Sequence, residues 1–164
     1  MLTIPQKYRQ ALLDDLTPHP RNPNNGDIGA IHTSITTNGW YGAVIVQKSS
    51  GHIIAGHHRV IAARHAGATR VPIIELDCDD DTALRIMLAD NRTAALATTD
   101  DDALGSILRD LLDTSGIQGT GYDADDLDDL LTELDTPTNA TPTPPPITCP
   151  SCGHTFTKNT GHDA

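Results

Sequence analysis

The chain has 164 residues, a formal net charge of −11 and three cysteines, two of them in a CxxC. That length suits one domain with appendages, and the cysteine pattern argues for a thiol or metal site and against a disulfide scaffold. No run of eighteen apolar residues and no secretory h-region appears, so the expectation is a soluble, cytoplasmic protein with no membrane span.

One phenylalanine and one tryptophan leave the core to aliphatic side chains. The acidic total counts against a DNA binder, but the charge is unevenly spread. Residues 1–76 hold seven Lys/Arg against four Asp/Glu, a balance of +3, while residues 77–135 hold three against seventeen, a balance of −14. The first half can meet phosphate and the second repels it, so tight duplex binding by the lone chain is not expected. The acidic arm is read as a solvated surface, a dock for a basic partner or a cover for the basic face.

Residues 1–11 read as a leader, and Ala11 to Leu16 as an opening strand or turn ended by Pro18 and Pro20. His19 to Gly26 form a rigid polar loop. Asp27 caps a helix with the apolar stripe Ile28, Ile31 and Ile35, and Asn38-Gly39 ends it. Ala43 to Gln47 and His52 to Ile54 read as hairpin strands around Ser49-Ser50-Gly51.

The central stretch follows. Gly56 supplies a turn without a Cβ, where a ligand or backbone approaches closely. Val60 and Ile61 to Ala66 continue as a helix that Gly67 stops. Arg59 falls in its first turn, beside unpaired N–H groups and the positive end of the dipole. A guanidinium there is mildly unfavourable, so it calls for a partner: a phosphate held by its planar fork, or a carboxylate.

Ile54-Ala55-Gly56-His57-His58-Arg59 with Ala62-Ala63 resembles the central motif of the ParB/sulfiredoxin-like superfamily, most closely the ParB-like domains of phages and DNA methyltransferases. The resemblance covers about residues 10–92, and a tail similar to the methyltransferase-linked subgroup continues to about 134. It implies an α+β fold, a small mixed sheet with packed helices, and phosphate binding at Gly56 and Arg59 with CTP or ATP and Mg2+ as ligands. By the same resemblance Asn22-Pro23 looks like the family's asparagine–proline loop, with Arg21 beside it. Asp90-Asn91-Arg92 looks like the segment whose asparagine and arginine face the nucleotide. Partition proteins usually carry an acidic residue and a second arginine where this chain has His57 and His58. Sulfiredoxin has its cysteine at the place of His57, so sulfinic-acid reduction is excluded.

Thr69 to Leu76 read as a further strand, with Pro72 arguing for an edge or pre-strand position. Asp79-Asp80-Asp81 lead into a helix carrying Ala83, Leu84, Met87 and Leu88, which Asp90-Asn91-Arg92 ends. Asn91 and Arg92 either contact nucleotide or cap that helix. Cys78 stands alone, a buried thiol. Asp100 caps a helix with Leu104, Ile107, Leu108, Leu111 and Leu112. After a flexible link, Gly116 to Gly121, the last helix carries Leu127, Leu130, Leu131 and Leu134. Those stripes pack on each other or on a partner. Residues 136–148 are a Thr/Pro linker.

Residues 149–164 read as a zinc-knuckle-like tail: Cys149-Pro150-Ser151-Cys152-Gly153 bends backbone around a metal. His154 and His162 are the candidates to complete Zn2+, or a second subunit does so.

The expected organisation is therefore a ParB-like domain (10–92), an acidic helical extension (93–135), the linker and the tail. Two functions are carried. One is a nucleotide-binding enzyme of phage or bacterial DNA metabolism, a hydrolase, kinase or nuclease with His57 or His58 as base or donor. The other is a non-catalytic adaptor that binds nucleotide and a protein partner, with DNA met through the amino-terminal half and a homodimer as the candidate assembly. Asp27 and Glu75 are outlying candidates for a metal ligand.

Overall fold

The computed structural model describes residues 3–135, Ile147–Thr148 and Thr155–Phe156. Five strands form one mixed sheet in the order β1 (Gln6–Leu12), β5 (Arg70–Leu76), β3 (Val44–Gln47), β4 (His52–Ala55) and β2 (Thr17–Pro18). β1–β5 and β3–β4 are antiparallel; β3–β5 and β2–β4 are parallel. The helices are α1 (Ile28–Asn38), α2 (His57–His65), α3 (Asp80–Ala95), α4 (Asp101–Thr114) and α5 (Ala124–Asp135). β6 (Ile147–Thr148) and β7 (Thr155–Phe156) pair in a separate antiparallel ladder. Among the described residues no helix is long and apolar enough to cross a membrane.

Strand alternation sorts the aliphatic residues into two layers. Val44, Val46, Ile53, Val71 and Ile73 face α2, where Val60 and Ala63 complete the cluster and Trp40 packs at its edge. Ile45, Ile54, Ile74 and Leu76 face α3 and meet Ala83 and Met87. Each fully buried Ile or Val contributes about 2 kcal/mol of apolar transfer, so the sheet is fastened on both faces. The α4 and α5 stripes pack on each other around Leu108, Ile117 and Leu127.

The caps fall where the acidic residues predict them. Asp27 accepts the Ala30 N–H at 2.9 Å, Asp79 that of Thr82 at 2.7 Å and Asp100 that of Ala103 at 2.9 Å. Each holds an otherwise orphaned donor of a first turn.

Several sequence expectations are corrected. The leader contains β1, a seven-residue strand paired along its whole length with β5. Within Ala11 to Leu16, read as a strand or turn, Ala11 and Leu12 end β1 and Leu13 to Asp15 form a 3-10 turn. Pro72 lies on neither an edge nor a strand start: β5 is flanked by β1 and β3, and the proline is tolerated because the β3 ladder begins one residue later, at Val44 opposite Ile73. α3 runs through Asp90-Asn91-Arg92 to Ala95 instead of ending there. Gly116 to Gly121 are docked on α1, as the Asn38 amide donates to the Gly119 carbonyl at 2.9 Å. Cys78 is half-buried.

Candidate functional site

Gly56 ends β4 with φ 95°, left-handed backbone that favours glycine, and caps α2. A Cβ there would make only ordinary contact with Val44 at 3.6 Å, so it is the backbone conformation that asks for glycine. The first N–H groups of α2 follow this turn and have no intrahelical partners. The motif therefore stands at the end of the sheet where β4 hands over to α2.

Two neighbouring side chains then hold the 19–26 loop against that turn. His57 Nε2 accepts the His19 N–H at 3.3 Å, and His58 Nε2 accepts the Gly26 N–H at 3.0 Å. Both bonds require Nε2 to be unprotonated. His57 is 7% exposed. Burial, reinforced by His58 and His19 and opposed by a hydrogen bond to the Ile53 backbone, pushes its pKa down to about 4. Asn91 fastens the middle of the loop: its amide donates to Asn22 Oδ1 and its own Oδ1 accepts from Asn24, both at 3.3 Å.

A cavity of about 170 Å3 opens between turn and loop, lined by Gly56, His57, His58 and Arg59 from the turn, Asn22 and Asn24 from the loop, Ile31 from α1, and Asp90 and Asn91 from α3. Arg59 is half-buried, and among the described residues it makes no hydrogen bond or ion pair. The carboxylate alternative for its partner is thereby not realised. Desolvating a guanidinium without a partner is costly, and an anion in this cavity would supply one. Asn22 and Asn91 supply further amides around the same space.

The other sequence candidates are placed elsewhere. Arg21 is exposed, its backbone N–H donating to His19 Nδ1 at 3.1 Å. It lines a different cavity, of about 240 Å3, with His19, His52 and Asp80. Arg92 is exposed on α3 and does not line the 170 Å3 cavity. Glu75 is held by Arg9 at 2.7 Å, which lowers its pKa, and Asp27 is spent on its cap. Among the described residues no group of three or more His, Cys, Asp or Glu is placed to hold a metal. Cys149, Cys152, His154 and His162 lie outside the described residues. Sequence reasoning missed Asn24, whose only signal was its place two residues after Asn22.

The profile of the ParB N-terminal domain matches residues 10–92, just over half of the chain. The chain belongs to the ParB N-terminal domain family. Among solved structures, this ParB-like chain is similar to the C-terminally truncated chromosome-partitioning protein ParB from Caulobacter crescentus, which was crystallised with CTP-γ-S. The TM-score is 0.66 at 22% identity, over 80% of this chain and 81% of that one. A pNOB8-like ParB N-domain gives a TM-score of 0.50 at 16% identity, over 82% of this chain and 64% of that one. At these identities the likeness shows the fold. No curated protein matches the ParB-like chain.

Proposed function

We propose that this ParB-like domain binds a nucleoside triphosphate, with the phosphates at the Gly56–Arg59 turn, and works as a nucleotide-responsive module of DNA metabolism. The observation that carries the reading is Arg59: a half-buried guanidinium in no ion pair among the described residues, at a helix start, on a cavity it shares with Asn22, Asn24, Asn91 and one carboxylate, Asp90. Unpaired N–H groups, the helix dipole and the guanidinium all favour the same negative ligand. The CTP analogue bound by the Caulobacter protein supports a nucleotide as that ligand. Magnesium entering with a triphosphate would have its phosphates and water as ligands, with Asp90 the nearest carboxylate at the cavity.

Binding is favoured over turnover by the imidazoles. With both Nε2 atoms engaged by backbone N–H groups, each must first release the 19–26 loop before that nitrogen takes a proton from a nucleophile. The enzymatic alternative assigns His57 or His58 as base to a hydrolase, kinase or nuclease step, and product analysis on the same samples decides it.

The test is calorimetry with CTP, ATP and GTP plus magnesium on wild type and Arg59→Ala. The expected outcome is binding by wild type that falls at least about tenfold in the variant, in line with loss of a charge-assisted contact. Equal affinity of the two proteins would sink the phosphate site.

A further inference from the structure

A second cavity adjoins the polar one and shares Arg59 and Ile31 with it. It measures about 310 Å3, inside the range of small-ligand sites. Its floor is α1, contributing Ile31, Ser34 and Ile35, its side is Tyr41, and its far wall is Thr120 and Gly121. The far wall belongs to the α4–α5 connection, beyond the residues 10–92 that carry the family match.

That connection is seated firmly. Besides the Asn38 bond, Gly119 comes so near α1 that an added Cβ would stand 2.8 Å from Thr37 Cβ, and its φ of 85° already favours glycine. Ile117 anchors the start of the connection in the α4–α5 core with Leu108 and Leu127.

The two cavities divide by chemistry. The smaller is ringed by amides and the helix start, and the larger has an aliphatic floor. Tyr41 is 63% exposed, leaving its ring free to stack. Its hydroxyl lies 3.3 Å from Ser34 Oγ, and Thr120 stands opposite with its hydroxyl engaged inside the connection, donating to the Ile117 carbonyl at 2.6 Å and accepting the Tyr122 N–H at 3.2 Å. Arg59 stands at the junction, where the charged and flat parts of one ligand would meet.

We propose that the α4–α5 connection is the second wall of the nucleotide site, and that the larger cavity seats the base and sugar of a ligand whose phosphates lie at Gly56–Arg59. The inference rests on the phosphate reading above. It makes the acidic extension part of the binding site, with base preference written in Ser34 and Tyr41 and the Thr120–Gly121 backbone as the facing wall.

Affinities for CTP, ATP and inorganic tripolyphosphate, measured on the full chain, separate the two halves of the site. Wild type is expected to prefer a nucleoside triphosphate over tripolyphosphate by about tenfold or more, the scale of one stacked base. Gly119→Val, which forces the connection off α1, should bring that ratio close to one while keeping tripolyphosphate affinity. Tyr41→Ala, remote from the α4–α5 core, should reduce the ratio in the same way and covers the case in which the valine variant unfolds. A wild-type ratio retained in both variants overturns the second wall and leaves the phosphate site standing. Equal wild-type affinity for tripolyphosphate and nucleotide overturns the base seat. Failure of wild type to bind any of the three ligands overturns the phosphate reading and this inference with it.

Discussion

His57 illustrates how one buried side chain couples to solution conditions. Its folded pKa is about 4 against an ordinary 6.5, with burial the largest cause. The folded chain therefore prefers the neutral imidazole, and between pH 6.5 and 4 the unfolded chain binds more protons. Stability rises with pH across that window and is lost as pH falls through it. At about 1.4 kcal/mol per pH unit the loss reaches at most roughly 3 kcal/mol. His19 is shifted down as well, by its burial, and acts in the same direction. Glu75 and Asp79, whose pKa values are lowered by Arg9 and by the Thr82 N–H, add their losses only as pH falls below their own unfolded values of 4.5 and 3.8. Chemical denaturation at pH 7.5, 6.0 and 5.0 should show the fall in wild type and a flatter profile in His57→Gln. A wild-type stability independent of pH over that range would refute the assignment.

At the scale of elements, the first turn of α2 and the 19–26 loop form one unit. His58 fastens the far end of the loop through the Gly26 N–H, and Gly26 is required there, since a Cβ would stand 2.9 Å from His58 Nδ1. Removing the acceptor leaves a half-buried N–H unsatisfied, at a cost of about 1–2 kcal/mol. His58→Ala should thus lower exchange protection of the Gly26 amide about tenfold, and His58→Gln, which keeps an acceptor of similar reach, should restore much of it. Unchanged protection in the alanine variant would show that the loop is held by other means.

The same scale explains which elements were legible. α2 and the β3–β4 hairpin announce themselves by glycine turns and apolar periodicity, and the helix caps by aspartate. β1 does not, because Gln6-Lys7-Tyr8-Arg9-Gln10 is a largely exposed edge strand whose partner lies more than sixty residues away. Its pairing is a long-range matter that no local pattern encodes. Asn91 looked like a helix end because Asp-Asn-Arg is polar, yet α3 continues to Ala95, with Asp90 and Arg92 exposed and Asn91 half-buried against the 19–26 loop.

For the whole molecule, charge is the dominant variable. The acidic α4–α5 hairpin is docked beside α1 through Gly119, so its field reaches the neighbourhood of Arg59 and opposes polyanions. Under the proposed reading a small triphosphate would be held by local donors, whereas a long duplex meets the net charge of −11. In about 150 mM salt the lone chain should bind random duplex DNA no tighter than roughly 10 μM. Fluorescence anisotropy checks this, and a tighter constant would mean that the acidic arm swings clear.

Glycine placement and apolar period were enough to determine the motif turn with Arg59 at its helix start and the acidic helices behind it, and the resemblance of that motif to the ParB/sulfiredoxin-like superfamily implied the α+β fold. These are local properties, written in neighbouring residues. Tertiary structure alone decided that Arg59 forms no ion pair among the described residues, that His57 and His58 spend their Nε2 atoms on a loop more than thirty residues away, and that the α4–α5 connection walls a cavity at the same arginine. Each depends on contacts between segments far apart in sequence, and only the packed chain specifies which donor meets which acceptor.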